Sequence, residues 1–175
     1  MQDEIFDVVD EQDRVIGQLS RGEIHRRQLR HRAAHILVFN AQGELFLQRR
    51  SLKKECCPGL WDSSVAGHLD RGESYEDCAR REIEEEIGYR LGGPLTRLFK
   101  LDACPETGWE FVWVYRCEAD GPFSLHPEEI EEGRWFTVTA LDTSIRERPD
   151  DFSSTLRLIW DRIRDTTAIA QSLNG

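Results

Sequence analysis

Residues 67–89 read Gly67-His68-Leu69-Asp70-Arg71-Gly72-Glu73-Ser74-Tyr75-Glu76-Asp77-Cys78-Ala79-Arg80-Arg81-Glu82-Ile83-Glu84-Glu85-Glu86-Ile87-Gly88-Tyr89, and the fold follows from this stretch. Ser74 followed by Asp77 marks a helix start, and Gly88 supplies a left-handed stop. Between Glu73 and Glu86 stand seven acids (Glu73, Glu76, Asp77, Glu82, Glu84, Glu85, Glu86) and two bases, Arg80 and Arg81. Successive residues turn by about 100° around a helix axis, so Glu82, Glu85 and Glu86 share one side. Ala79, Ile83 and Ile87 make the neighbouring apolar stripe. The carboxylate edge therefore borders the buried face.

A helix built only for solubility would not be charged this way. Like charges at i,i+4 destabilise it by roughly 0.2–0.5 kcal/mol each. Carboxylates in the last turn meet the negative end of the macrodipole at about 0.3–1 kcal/mol apiece. A hard divalent cation reverses both penalties, because Mg²⁺ binds carboxylate oxygens together with substrate phosphates. The cluster reads as a metal site.

The segment resembles the signature of the Nudix hydrolases, Gly-x5-Glu-x7-Arg-Glu-(aliphatic)-x-Glu-Glu-x-Gly-(aliphatic). Gly67, Glu73, Arg81, Glu82, Ile83, Glu85, Glu86 and Gly88 occupy their places, and only Tyr89 replaces an aliphatic residue. Seven fixed residues at about 7% usage each give a chance match on the order of 10⁻⁸ per starting position, so coincidence is set aside.

The resemblance implies an α/β/α sandwich with a mixed central sheet, and a loop–helix that holds metal. It implies cleavage of a diphosphate bond in a nucleoside diphosphate linked to another moiety. By position, Glu82, Glu85 and Glu86 would coordinate Mg²⁺, with Mn²⁺ as a possible substitute, and the Gly67 carbonyl would be a backbone ligand. Arg81 would orient the carboxylates, and Glu73 would support the loop. A general base must take the proton of the attacking water. Glu82 is one candidate; the others lie in the acidic loop at Glu128, Glu129 and Glu131.

Residues from about 25 to 88 also resemble the isopentenyl diphosphate isomerase branch of the same superfamily. The likeness runs through His31, Phe39-Asn40, Gln48-Arg49-Arg50-Ser51, Pro58-Gly59-Leu60-Trp61, Ser64-Val65-Ala66-Gly67-His68 and Gly72-Glu73-Ser74. It implies a histidine–glutamate metal cluster at or near His25, His31, His68 and Glu110; a second glutamate of that cluster would fall on Gly108. Ala66 stands where the isomerase has its catalytic cysteine, which leaves that proton transfer without its acid. The competing readings are thus an isomerase-like enzyme, a catalytically silent ligand-binding module, or an acidic interaction helix unrelated to metal.

Outward from this segment, the chain reads as one mixed α/β (or α+β) domain over residues 1–175. Two β-rich runs flanking Asp10–Asp13 predict a hairpin over 5–19, and Ser20 with Glu23 predicts a short helix over 21–29. Together they form an N-terminal extension within residues 1–30. Strands are expected near 32–40, 44–50, 63–65, 96–102, 109–118 and 132–137. Leu156, Ile159, Trp160 and Ile163 predict an amphipathic C-terminal helix within 150–172. Arg49 and Arg50 end a strand, and one of them is expected to face substrate phosphate. Trp61, Trp109, Trp113 and Phe111 are expected in the core.

The chain has 175 residues with 33 acids against 23 bases, a formal charge of −10. That balance argues against a nucleic-acid polymer as partner, since such affinity comes from Lys and Arg on phosphates. A small diphosphate remains compatible when metal supplies the positive charge. The acidic start Met1-Gln2-Asp3-Glu4 is unlike a secretory leader, and no apolar run reaches the ~20 residues of a membrane span. A cytoplasmic protein with no membrane partner is expected, and a homodimer is open. Five cysteines without CxxC spacing are expected as mostly buried free thiols.

Overall fold

The computed structural model describes the backbone of residues 4–173 and the side chains of residues 4–166. The acidic start Met1-Gln2-Asp3 lies outside the described residues. Strand β3 (His31–Phe39) organises the structure. Its alternate residues are apolar on both faces, as a strand covered from both sides requires. Ala34, Ile36 and Val38 pack on one side, Ala33 and Leu37 on the other.

β3 runs parallel to β8 (Glu110–Glu118), from His31 opposite Glu110 to Phe39 opposite Glu118. β7 (Thr96–Leu101) closes that edge antiparallel to β8. On its other side β3 gives Ala33–Ile36 to β6 (Val65–His68) and Val38–Phe39 to β4 (Leu45–Arg50). β4 continues to β5 (Trp61–Asp62) and β9 (Ile130–Phe136), which completes a mixed seven-stranded sheet.

Helix α2 (Tyr75–Ile87) covers one face through Cys78, Ala79, Ile83 and Ile87. Its ends are those expected. The Ser74 hydroxyl accepts from the Asp77 N–H at 3.1 Å, and Gly88 takes φ 61°. Helices α3 (Val138–Glu147) and α4 (Ser154–Leu173) cover the other face through Leu141, Ile145, Leu156, Ile159 and Trp160. The result is the expected α/β/α sandwich. No helix among the described residues is long and apolar enough to cross a membrane.

The hairpin of β1 (Ile5–Val9) and β2 (Val15–Ser20) and the helix α1 (Arg21–Arg27) form as expected, with a small core of Phe6, Val8 and Ile24. Asp13, in the hairpin turn, accepts hydrogen bonds from Arg32, Tyr75 and Lys100 and ties the hairpin to the body.

Three expectations need correction. α3 was not anticipated, although Thr137 caps it through the Ala140 N–H and Leu141 and Ile145 supply its buried i,i+4 pair. β9 begins at Ile130, inside the acidic stretch, because Ile130 is buried at its start. The cysteines are free, but only Cys78 and Cys117 are buried, and Cys56 is exposed.

Candidate functional site

Arg81 is the hub of the α2 site. Its Nε and Nη2 donate to the two oxygens of Glu73 at 2.9 and 2.8 Å, and Nη2 also donates to the His68 carbonyl at 3.0 Å. Its Nη1 donates to Glu82 at 2.6 Å and to Glu85 at 3.0 Å. A planar guanidinium offers five fixed donors, which a lysine could not replace. Burial alone would raise the Glu73 carboxyl, but Arg81 outweighs it and holds the pKa below the usual range. Glu73 also accepts the Asp70 N–H at 3.0 Å, bracing the loop that enters the helix.

Glu86 is buried. Its Oε2 accepts from the Gln48 amide at 2.9 Å and the Ala66 N–H at 3.1 Å. Burial, followed by the neighbouring Glu82, pushes its pKa up to about 8. Burial likewise lifts Glu82 to about 7, despite the opposing pull of Arg81. Glu85 is exposed. Gly67, on β6, faces this group so closely that a Cβ would lie 2.0 Å from both the carboxyl carbon and Oε1 of Glu82.

These oxygens fit a hard cation in kind, since all are carboxylate or carbonyl donors. Glu82 and Glu85 lean on Arg81, however. The only trio of ligand atoms within 4.8 Å of one another among the described residues belongs to histidines.

That trio is His25 from α1, His31 from β3 and His68 from β6. Glu110, opposite His31 on β8, accepts from His68 Nε2 at 2.9 Å and lies 3.5 Å from His31 Nε2. His31 Nδ1 is committed to the Leu29 carbonyl at 2.9 Å. The Nε2 atoms of His25 and His31 are buried without a hydrogen-bond partner. Burial, then His68 and His31, pushes His25 down to about 4, and burial lowers His68 too. Burial would raise Glu110, but His68 and His31 outweigh it and hold it well below the carboxylate range. Imidazole nitrogens around a charged carboxylate suit a metal ion. The sequence brings these four together, whereas Gly108 offers no side chain for a fifth ligand.

His25, His68 and Glu110 line the same cleft, of about 550 Å³, as Glu82, Glu85 and Glu86. Arg50 and Lys54 line it, while Arg49 turns away to the Gly59 carbonyl and toward Glu132. Of the acidic loop, Glu129 lines the cleft and pairs with Lys54. Glu128 does not: its carboxylate is exposed and accepts from Lys53 at 2.6 Å. Glu131 is exposed and is not part of the lining. Phe111 is buried and Trp61 and Trp113 pack against the core, while Trp109 sits at φ 66° outside it.

The sequence reading gave neither Gln48 nor His35 a place in the site. A signal existed for both. Gln48 follows Phe46 on an inward-facing row of β4, and His35 stands between Ala33 and Leu37 on one row of β3. A polar residue at such a place is held by a partner or by function.

Residues 29–157 match the NUDIX domain family. An uncharacterized Nudix hydrolase of Yersinia pestis is 38% identical over 156 residues, spanning 86% of this chain and 80% of the relative. An isopentenyl-diphosphate Delta-isomerase 2 of Aromatoleum aromaticum is 32% identical over 180 residues, spanning 100% of this chain and 92% of the relative. The crystal structure of DR0079 from Deinococcus radiodurans matches with a TM-score of 0.74 at 31% identity, covering 83% of this chain and 90% of that one.

Proposed function

This chain belongs to the Nudix family, and from that premise we propose that it is a hydrolase cleaving a diphosphate bond in a nucleoside diphosphate or its conjugate, with Mg²⁺ as cofactor. One observation carries the reading. Glu86 is buried and Glu82 half-buried at the cleft, with pKa values of about 8 and 7, so the fold concentrates unfavourable negative charge where a cation would relieve it. The lack of a Cβ at Gly67 keeps the Glu82 carboxylate in that position.

In this reading Glu82, Glu85 and Glu86 hold the cation, with the Gly67 carbonyl. The bound cation neutralises diphosphate charge and lowers the pKa of the attacking water. Arg81 fixes the carboxylates, and Glu73 fixes Arg81. Arg50 and Lys54 contact phosphate oxygens. Glu129 takes the proton from water, since Glu82 is occupied by Arg81 and the cation, and Glu128 lies outside the cleft. The unit that acts is the single domain spanning residues 1–175, because both the hairpin and the start of α4 contribute residues to the cleft.

The histidine cluster favours a second reading, an isomerase acting on an isopentenyl-type diphosphate. Ala66 argues against it, offering a methyl group where that chemistry needs a thiol. Product analysis separates the two. Incubation of a panel of nucleoside diphosphate conjugates with Mg²⁺ should release a phosphorylated product, and Glu86→Gln should abolish that release in a folded protein. Undiminished release by this variant would remove the metal assignment, and interconversion of isopentenyl diphosphate without release would favour the isomerase.

A further inference from the structure

His35 stands in the middle of β3 between buried Ala33 and Leu37, where an imidazole is costly unless its nitrogens are used. Its Nδ1 is hydrogen-bonded to Ser63 Oγ at 2.8 Å, and Asp62 Oδ1 lies 4.0 Å from the same nitrogen. Asp62 is itself fixed by the Ser63 N–H at 2.8 Å, the Ser153 hydroxyl at 2.9 Å and Arg50 Nη1 at 3.3 Å. A carboxylate on the Nδ1 side favours the proton there and leaves Nε2 with a free lone pair. Nε2 has no protein partner among the described residues and is not sealed from solvent, and His35 lines the cleft. Burial keeps the ring neutral by lowering its pKa.

The residue paired with His35 across the strands is Ala66. Such partners share a face with Cβ atoms about 4.5–5.5 Å apart, so only a methyl group flanks the ring on that side. Arg50 joins His35 to the phosphate-facing wall, because Asp62, which accepts from Arg50, also lies 4.0 Å from His35 Nδ1. The cleft, about 550 Å³, is of a size that holds a small organic ligand.

We propose that His35 is a specificity-determining residue whose Nε2 accepts a hydrogen bond from a sugar hydroxyl of the moiety attached to the diphosphate. This rests on the diphosphate-hydrolase reading above. A ribose offers donors to that lone pair. An isoprenoid tail offers none and would leave a polar atom unpaired in a closed site, which a binding site penalises.

The test is calorimetry in Mg²⁺ with two probes that cannot be hydrolysed, methylenediphosphonate and α,β-methylene-ADP. The wild-type protein is expected to bind the nucleotide more tightly. His35→Phe should weaken the nucleotide about tenfold, a single hydrogen bond, and leave methylenediphosphonate unchanged. His35→Gln, whose amide can reach the same point, should recover part of the loss. Equal weakening of both probes, or no change in either, would overturn the proposal. Should His35→Phe not fold, the wild-type protein still decides: it must prefer α,β-methylene-ADP to the isopentyl ester of methylenediphosphonate, and the reverse order would overturn the proposal. Failure of the wild type to bind methylenediphosphonate at all would strike the hydrolase reading instead.

Discussion

A Cβ on Gly67 would sit 2.0 Å from the carboxyl carbon of Glu82, so the Glu82 carboxylate can hold its present place only while position 67 has no side chain. The constraint is proximity, not a backbone conformation that demands glycine. Gly67→Ala should lower stability by about 1–3 kcal/mol, the usual cost of overpacking, and should abolish hydrolysis. Adding Glu82→Ala should restore the stability but not the activity. Urea titrations of the two single variants and the double variant check this, and additive losses would deny the contact.

Arg81 acts through geometry. Its fork grips Glu73 with two nitrogens while the third holds Glu82 and Glu85. Arg81→Lys keeps the charge and loses the fork. Hydrolysis should fall by about 10²-fold, the scale of a misplacement near 1 Å. Steady-state kinetics measure it, and wild-type turnover would show that charge alone suffices.

Glu129 and Glu128 are neighbours in sequence with opposite surroundings. Glu129 lines the cleft beside Lys54, and Glu128 is exposed beside Lys53. Glu129→Gln should reduce kcat by about 10²–10⁴-fold, as loss of a general base does, and Glu128→Gln should leave it unchanged. A reversed pattern would return the role to the residue outside the cleft.

The cation-free protein should lose stability between pH 6.5 and 8. Glu82 and Glu86 are raised from 4.5 to about 7 and about 8, so they bind protons more tightly when folded. Their stabilisation is complete below pH 4.5 and is lost as pH rises through those values. His25, His35 and His68 are lowered from 6.5, so their contribution has the opposite sign and levels off above pH 6.5. The window from 6.5 to 8 therefore reports the two glutamates. Melting temperature in EDTA should fall across it, and Glu86→Gln should flatten the fall. A rise in the wild type would contradict the burial of these carboxyls.

Helix α2 was legible because its caps, charge spacing and apolar stripe are all local in sequence. The strands were legible from apolar clusters, but their order was not: the parallel pairing of β3 with β8 joins residues about eighty positions apart. α3 was missed because Leu141 and Ile145 give a single buried pair beside polar neighbours, and only the packing against α4 and the sheet makes it a helix. Gln48 was visible as a strand residue, but its bond to Glu86 depends on how β4 meets α2. The choice of Arg50 over Arg49 follows from strand alternation, which sequence gives only up to which face is inside. Glu129 rather than Glu128 depends on the turn that starts β9, and no local pattern sets it.

The most direct measurement is calorimetric titration of Mg²⁺ into the protein with methylenediphosphonate present, wild type beside Glu86→Gln. Saturable binding by the wild type that is lost in a variant with an unchanged circular dichroism spectrum is the expected result. Equal binding by both proteins, or none by the wild type, would contradict a cation centre on α2.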